Sequence, residues 1–520
     1  FFKQKTAYEM LRSLVGSEMC IRDRCVFMCF SSYSRDTGTD TFPLKSEDTT
    51  QVTQQLPEYL DLQTAQKIAL EQNPSLKAVS ERIEQARQKV KQALAQYYPQ
   101  IIANYTASHT DLSDTAIRRS QNAVWQQSSS AISQSVLRGT GGTGTDILSS
   151  IPWETVLSSW ISAYQASNSI PESQNNYAIN FIIRYTLFDG FARKYSVALA
   201  KLGEKATQES QQEAVRMLLS AVANSFYAVQ LAEENIRIAE ADKAFNERLL
   251  YEAKVKQELG AGSLSDVLNF EVLLRSAEAQ IINARQNREI ARISLAGVMG
   301  LNTGILPDYV KLTPLKDETD EDLKNPNVDE LLSVALQNRP DLKMLTLIIQ
   351  QSEAQVGQSR STLYPQMGVS LSRSATRTVD SEFNSDDFAT TVSVDVSYNL
   401  FSGGKNRALR AEARARLREA EQNYYAGRID VITDVQSTIQ ELKSAQEQLK
   451  LQRENAQYVR KNRDLVEQEY KAGQTSLVRL NQAQKDLIEA EGRLASARVA
   501  LFRAWYQIKT ATAQSLLELK

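Results

Sequence analysis

Few residues of this 520-residue chain have the type and spacing that enzyme chemistry needs. The single histidine, His109, argues against histidine-based acid–base catalysis and histidine-rich metal sites. All three cysteines lie at or before Cys29, so the rest of the chain has neither disulfides nor thiol chemistry. Gly139, Gly141 and Gly144 satisfy a G-x-G-x-x-G spacing, but the Ser- and Thr-rich surroundings predict no strand–helix unit for a nucleotide. We therefore predict no enzyme activity, no cofactor and no metal.

The charge balance argues against one class of function, and the scarcity of helix breakers indicates long helices. Sixty basic and 62 acidic residues give a net charge of −2, which argues against general nucleic-acid binding. Glycine (20) and proline (11) are scarce, and helices can run long where proline is absent. No run of 18 apolar residues occurs, so we expect no transmembrane helix, whereas a transmembrane β-barrel stays possible.

The first 57 residues are not expected to belong to the fold. Residues 14–23 read LVGSEMCIRD, one reading frame of a transposase-type sequencing adapter, and we interpret 1–24 as an adapter artefact. The apolar stretch that follows resembles the end of a signal peptide, so 25–57 is predicted to be a signal remnant and N-terminal extension. Cys29 lies in a poor cleavage context for a lipid-bearing N-terminus.

The remainder of the chain is an internal duplication. ALEQNPSLK at 69–77 matches ALQNRPDLK at 335–343, and YYPQI at 97–101 matches LYPQM at 363–367 with the same offset. YTLFDG at 185–190 matches YNLFSG at 398–403, and Gly260 matches Gly473 with that second offset. Two units of similar plan therefore follow one another, and the first carries an extra segment between Pro99 and Leu187.

In each unit, the sequence pattern predicts a helix of about 30 residues, two short strands, a helix of about 65 residues, a glycine turn and a last helix. The predicted helices are 66–97, 191–257 and 265–300, and then 329–363, 404–470 and 476–513. Ile432 to Leu449 form a heptad-like seam that is interrupted at Gln446. The predicted domains are a first repeat at 58–301, a linker at 302–327, a second repeat at 328–515 and a tail at 516–520.

Four segments alternate apolar and polar residues, as strands with two different faces do. They lie at about 100–110, 177–188, 366–376 and 389–401. Lengths near ten residues match tilted membrane strands, whose outward face is apolar. A sheet with one buried face explains the alternation equally well. Four strands cannot close a barrel, and open edges cannot persist in lipid, so in a membrane several chains would have to pool their strands, and three chains would supply 12. The residues predicted to face lipid are Ile179, Phe181, Ile183, Tyr185, Val392, Val394, Val396 and Tyr398.

An insertion at 113–175 separates the first two strands and holds three of the four tryptophans. We predict a surface loop there, because loops of this length are uncommon unless they are functional or flexible. Within it, 153–164 has the pattern of a short amphipathic helix for a barrel rim or membrane surface. Gating at the rim of such a barrel and a tolerated surface loop are the two interpretations.

The order of these motifs resembles that of the TolC-like outer-membrane efflux protein family. The likeness covers about residues 58–515 and rests on Asn-Pro and Arg-Pro helix starts, YPQ helix ends, and LFDG and LFSGG strand ends. A tip motif, in which Gly260 is followed by Asp266, Val267 and Leu268, adds to it. Each motif is common alone, but their order, the duplication and the helix lengths together are specific.

The resemblance implies a mainly α-helical protein with a small β part. Three protomers would form a 12-stranded β-barrel in the outer membrane and an α-helical barrel in the periplasm of a Gram-negative-type cell. It implies a passive exit duct for tripartite efflux or type I secretion. A periplasmic adaptor (membrane-fusion) protein would join it to an inner-membrane pump. Drugs, metals and proteins are all compatible cargoes, and a nucleic-acid partner is not expected.

The resemblance also assigns the two helix turns to periplasmic tips that dock the adaptor. These tip residues are Gly260, Ser263, Ser265, Asp266, Gly473, Ser476, Arg479 and Gln482. Glycine and serine there also suit helix capping. Arg479 and Gln482 stand where relatives with an acidic constriction carry aspartates, so a closed aspartate ring is not expected. Either Asp266 pairs with Arg479 in the trimer, or both charges are solvated separately.

Two other functions are compatible with parts of the pattern. A soluble coiled-coil scaffold without a pore would use the long helices but leaves the four alternating strands unexplained. A barrel-anchored surface adhesin would use the 113–175 insertion but leaves the helical duplication unexplained. The outer-membrane exit duct explains all three features.

Overall fold

The computed structural model describes residues 56–139, 153–168, 173–378 and 380–518. The predicted adapter segment 1–24 and all but the last two residues of 25–57 lie outside the described residues. So do the centre of the 113–175 insertion and the final two residues of the tail.

Two helices open the first repeat, and a helical hairpin closes it. They are α1 (Leu62–Gln72), α2 (Pro74–Ala95), α5 (Ala192–Glu258) and α6 (Leu264–Met299). The predicted single helix at 66–97 is wrong, because the chain breaks at Asn73, which has φ −61° and ψ 118°. Proline excludes the preceding residue from the helical region, and the Asn73 side chain then caps α2. We call α5 and α6 the first hairpin.

The second repeat has the same order. Its helices are α7 (Val328–Asn338), α8 (Pro340–Ser359), α9 (Lys405–Lys471), α10 (Leu477–Ala511) and the short α11 (Gln514–Leu517). The predicted helix at 329–363 is likewise broken, at Arg339 before Pro340, and its end is a 3-10 turn at Ser361–Leu363. We call α9 and α10 the second hairpin. The long helices α5 and α9 have 67 residues each, so each is about 100 Å long.

The insertion contains two helices where a loop was predicted. They are α3 (Asp114–Gly139) and α4 (Trp153–Asn168), and they pack together with the Trp125 and Trp160 ring centroids 5.3 Å apart. The helix predicted within 153–164 is therefore present. Serine and glutamine are frequent in α3, which explains why its sequence has little helical periodicity.

The four predicted strands form one antiparallel sheet. They are β2 (Gln100–Asp111), β3 (Ser173–Phe188), β5 (Gln366–Arg377) and β6 (Ala389–Ser397), in the order β2-β3-β5-β6. The strand predicted to reach residue 401 ends at Ser397, so Tyr398 lies one residue beyond β6. Two-residue strands β1 (Tyr59–Leu60) and β4 (Lys311–Leu312) pair in parallel elsewhere.

Equivalent contacts hold the two repeats in the same way. The Asn73 Nδ2 donates to the Val298 carbonyl at 2.8 Å, and the Arg339 Nη1 donates to the Ala511 carbonyl at 3.2 Å. Both bonds join the break in the first helix pair to the last turn of the hairpin. Because Val298 and Ala511 are related by the same offset as the two tip glycines, the duplication extends to individual hydrogen bonds.

The linker between the repeats is bound to both hairpins. Gln230 of α5 donates to the Thr313 carbonyl at 2.6 Å. Gln446 of α9, which interrupts the predicted heptad seam, donates to the Asp322 carbonyl at 3.0 Å. The Glu318 carboxylate, whose side chain is only 1% exposed, pairs with Arg453 of α9 and Arg498 of α10. Burial by itself raises the pKa of Glu318, but the hydrogen bonds and charges at this site outweigh burial and lower the pKa.

Replacing Glu318 with glutamine should destabilise the fold at neutral pH. The loss should be about 2 kcal/mol, below the roughly 3–5 kcal/mol of a fully buried pair, because Arg453 is 40% exposed and solvent screens its charge. A lowered pKa means that the carboxylate stabilises the fold above its usual value and loses this effect as the pH falls through the lowered one. Denaturant titration of the detergent-extracted protein should therefore show the difference from wild type shrinking below about pH 4.

The matched control is Asp317→Asn, which removes a carboxylate that is 83% exposed and also pairs with Arg498. It should change stability little, because exposed pairs contribute little. An equal loss in both variants, or a Glu318→Gln difference that is independent of pH, would contradict the buried pair.

Candidate functional site

The first hairpin turns within a short loop. The helix α5 ends at Glu258, and Gly260 adopts a left-handed conformation with φ 74°, which glycine accepts without strain. The Ser263 side chain caps α6 by accepting from the Ser265 amide at 3.0 Å. Both predicted serines therefore take part in one capping interaction: Ser263 is the N-cap residue, and Ser265 supplies the backbone amide.

The second hairpin turns in the same way. The helix α9 ends at Lys471, Gly473 has φ 73°, and the Ser476 side chain accepts from the Arg479 amide at 3.4 Å. The side chain of Gln482 donates to Asp486 at 2.7 Å on the same helix. These bonds account for the shape of the turn, whereas the Arg479 guanidinium is exposed.

One apolar cluster joins the two tips. Its buried members come from all four hairpin helices, and we call it the shared tip cluster. They are Phe245, Leu249, Leu250, Ala253, Val267, Phe270, Val466, Leu480 and Ala483. Because α5 packs along α10, the tips of the two hairpins are a single packed unit within one chain.

Asp266 and Arg479 occupy equivalent places, in the first turns of α6 and α10. A carboxylate is stabilised by the positive end of the helix dipole, and an arginine there is not. Burial raises the pKa of Tyr470 in the shared tip region, and the negative charge of Asp266 raises it further. No ion pair joins Asp266 to Arg479 within the described residues of one chain.

An ion network that the sequence did not reveal lies beside the shared tip cluster. The Glu467 carboxylate contacts Arg248 at 2.7 Å, Lys471 at 2.9 Å and Arg463 at 3.3 Å. Burial raises the pKa of Glu467, but its hydrogen bond with Lys471 and the surrounding cations lower it overall. The network joins α5 to α9 and therefore links the two hairpins electrostatically.

The outer face of the sheet is apolar and exposed. The cross-strand register aligns Ile101, Ile183, Leu371 and Val392 in one row across all four strands. Neighbouring rows place the other predicted residues on the same face, with exposures of 46% for Phe181, 37% for Tyr185, 63% for Val394 and 62% for Val396. Ile179 and Ile183 are half-buried, and Tyr398 is 54% exposed beyond the strand.

The opposite face of the sheet is mainly polar, although Ile102 and Ile182 pair with each other on it. Asn104, Asn180 and Ser374 lie in one row, and the Ser370 and Ser393 hydroxyls are 2.7 Å apart in another. Because β2 and β6 are the outer strands, each pairs on one side only within the described sheet. Among the residues that the structure describes, the sheet therefore has two open edges, and no apolar layer covers its outer face.

An exposed apolar stripe follows α9 at heptad spacing. Leu451, Tyr458 and Leu465 are 64%, 69% and 59% exposed. In α5 the equivalents of the first two are Ile238, which is half-buried, and Phe245, which is 7% exposed, and both face α10.

The helix α6 shows the complementary exposure. Its Ile282 is 68% exposed and Ile293 is 49% exposed, whereas their equivalents in α10 are covered within the chain. Those equivalents are Ala495, at 4% exposure, and the half-buried Tyr506, whose hydroxyl accepts from Gln66 at 2.5 Å. The faces of α9 and α6 that are equivalent to the contacting faces of α5 and α10 are thus exposed in the single chain.

The described part of the chain has neither a helix suited to span a membrane nor a cluster suited to hold a metal ion. None of its helices is both long enough and apolar enough to cross a membrane. No three His, Cys, Asp or Glu side chains among these residues converge in a way that would hold a metal ion.

Comparison with known proteins gives consistent matches. The family model described as outer membrane efflux protein matches residues 155–301 and 331–514. The chain is 24% identical to the pyoverdine export outer membrane protein OpmQ of Pseudomonas aeruginosa, over 71% of this chain and 73% of the relative. It is 25% identical to the alkaline protease secretion protein AprF of the same species, over 65% and 69%. The solved structure of the CmeC outer membrane channel of Campylobacter jejuni aligns with a TM-score of 0.64 at 15% identity, over 88% of each chain.

Shortening Leu480 to alanine should loosen both tips together. Leu480 is fully buried in the shared tip cluster, and removing such a side chain costs about 3 kcal/mol. Hydrogen exchange should therefore speed up at the amides around Phe245 and Phe270 as well as around Leu480. The control is Val478→Ala, which is 76% exposed on the same helix and should leave exchange unchanged. Faster exchange confined to α10 would contradict a shared cluster.

Proposed function

The chain belongs to the outer membrane efflux protein family, and we propose that three copies form the exit duct of a tripartite efflux or type I secretion system. Members of this family are transport ducts of the outer membrane and not enzymes. The observation that carries the proposal is the open four-stranded sheet with one exposed apolar face. Neither the comparisons nor the described residues support a scaffold without a pore.

Closure of the sheet favours three copies. Backbone amides and carbonyls at a strand edge have no water to bind within hydrocarbon, so a membrane sheet must close on itself. In the order β2-β3-β5-β6, the outer strands β6 and β2 run in opposite directions, so β6 of one copy can pair antiparallel with β2 of the next. Three copies supply 12 strands, an even number typical of such barrels.

The helices favour the same head-to-tail arrangement. Inside one chain α5 packs on α10, and the equivalent faces of α9 and α6 are exposed. If α9 of one copy packs on α6 of the next, the exposed stripe of α9 becomes buried as its counterpart in α5 is. Such a heterologous contact forms a ring when the rotation closes. Three chains would then supply six hairpins around one periplasmic tunnel.

The tips are proposed to dock a periplasmic adaptor protein that connects the duct to an inner-membrane pump. Besides the predicted tip residues, Leu259, Leu264 and Val478 are 78%, 57% and 76% exposed there, and exposed apolar side chains favour a protein partner. The matched relatives are named for pyoverdine export and for protease secretion, so small molecules and proteins are both candidate cargoes.

The insertion is proposed to stand at the cell exterior. It joins the end of β2 to the start of β3, which is the opposite end of the sheet from the hairpins. Its helix α4 exposes Trp153, Leu157 and Tyr164, each more than half accessible. This position favours a role at the outer mouth.

Placing a charge on the α9 stripe should prevent trimer formation. In the proposed ring, Tyr458 is buried against α6 of the next copy at each of three equivalent interfaces. A glutamate there would be a buried, unpaired carboxylate, which costs several kcal/mol (about 3 or more) at each interface. Light scattering of detergent-extracted Tyr458→Glu should therefore report mainly the monomer mass. The control is Gln457→Glu, an exposed neighbour outside the stripe, which should stay trimeric. A Tyr458→Glu trimer of wild-type mass would exclude this interface.

Reversing the charge of Arg479 should open the periplasmic entrance. The equivalence of Asp266 and Arg479 makes carboxylates and guanidiniums alternate around the proposed ring of six tips. Arg479→Asp would make all six positions negative, and their repulsion should raise single-channel conductance in planar bilayers several-fold. Lys485→Asp makes the same charge change further along α10 and should have little effect. Unchanged conductance and closure in Arg479→Asp would eliminate the alternating pairs.

A further inference from the structure

A cavity of about 260 Å³ lies between α5 and α10, close to the shared tip cluster. We call it the Asp242 cavity. Its wall comes from both hairpins, with α9 contributing one residue. The lining residues that matter here are Ile238, Asp242, Arg463, Gln484, Leu487 and Ile488. The cavity is therefore partly apolar and partly polar, as small-molecule sites are.

Asp242 is a buried carboxylate without a counter-charge. It is 6% exposed and forms no ion pair within the part of the chain that the structure describes. The other charged residues of the wall are matched, in the pairs Glu234–Arg237, Arg460–Glu491 and Arg463–Glu467. Burial raises the pKa of Asp242, and its hydrogen bonds with Gln484 and Asn246 offset that rise only in part. An uncompensated charge at this depth is costly unless a cation neutralises it.

Two further polar atoms of the wall have no partner. Gln484 is 8% exposed, and its Nε2 donates to the Asp242 Oδ1 at 2.8 Å while its Oε1 accepts no bond. The Arg463 Nε is also buried without an acceptor. Buried polar groups in native proteins normally have partners, so the Gln484 Oε1 and the Arg463 Nε are available to a ligand that both donates and accepts.

We propose that the Asp242 cavity binds a small organic ammonium ion that also carries a hydroxyl or carbonyl oxygen. The ammonium group donates to the Asp242 carboxylate and to the Gln484 Oε1. The oxygen accepts from the Arg463 Nε, and the apolar body packs on Leu487 and Ile488. A divalent metal is disfavoured because Asp242 is the cavity's one unpaired carboxylate among the described residues. Because Asp242 and Gln484 belong to different hairpins, the ligand would strengthen the contact between them.

The test is calorimetric titration of the detergent-extracted full chain with 2-amino-1-phenylethanol, which has the amine, the hydroxyl and an apolar ring. Wild type should bind it saturably, and the neutral analogue with a hydroxyl in place of the amine should not bind. Asp242→Asn should lose at least tenfold in affinity while folding normally, because it removes a buried charge. Ile488→Trp should lose binding by filling the cavity. Glu247→Gln removes an exposed carboxylate of α5 outside the cavity and should bind as wild type does.

Three results would overturn the proposal: no binding to wild type, equal binding of the neutral analogue, or unchanged affinity in Asp242→Asn. Displacement of the amine by an equal concentration of sodium ion would also overturn it, in favour of an alkali-ion site. Mass and conductance are measured on the same samples. Lost amine binding in an intact, conducting trimer therefore counts against the cavity alone, and a monomer that binds the amine counts against the trimer alone.

Discussion

The unpaired backbone edges of β2 and β6 determine how the rest of the structure can be used. Each amide or carbonyl left without a partner in hydrocarbon costs several kcal/mol (about 2 or more), and a whole strand edge multiplies that cost. The exposed apolar face of the sheet favours a position in hydrocarbon. The unpaired edges make that position too costly for a single chain. The proposed pairing between copies would resolve the conflict, and the resulting ring would determine where the hairpins stand. The arrangement of the long helices would thus follow from the need of the strand edges to pair in hydrocarbon.

The duplication explains why the same ring can satisfy the helices. Equivalent residues make equivalent bonds, as the Asn73 and Arg339 contacts with the hairpin ends do. Where the repeats differ, the backbone still agrees: Phe191 and Gly404 both have positive φ, as do Gly300 and Ala513. The contact that α5 makes with α10 inside the chain is therefore a template for the contact between copies. In the proposed ring, Asp266 and its equivalent Arg479 would alternate from tip to tip.

The sequence predicted the long helices within one or two residues, because residues 172–306 and 366–520 contain no proline and the turn glycines Gly260 and Gly473 mark where the long helices end. The four strands were predictable from alternation alone. The breaks at Asn73 and Arg339 were missed, because apolar periodicity continues through them and only the restriction before proline marks them. Contacts such as Glu318 with Arg453, or Glu467 with Arg248, were out of reach. They join residues far apart in the chain and leave no local pattern.

The most direct test of the trimeric duct is the mass and shape of the protein from residue 30 onward, extracted in detergent. Light scattering combined with negative-stain imaging measures both. A trimer whose tube extends about 100 Å or more beyond the detergent micelle is the predicted result, from the rise of a 67-residue helix. A monomer or dimer that stays in solution without detergent would contradict the barrel, the membrane location and the transport function together.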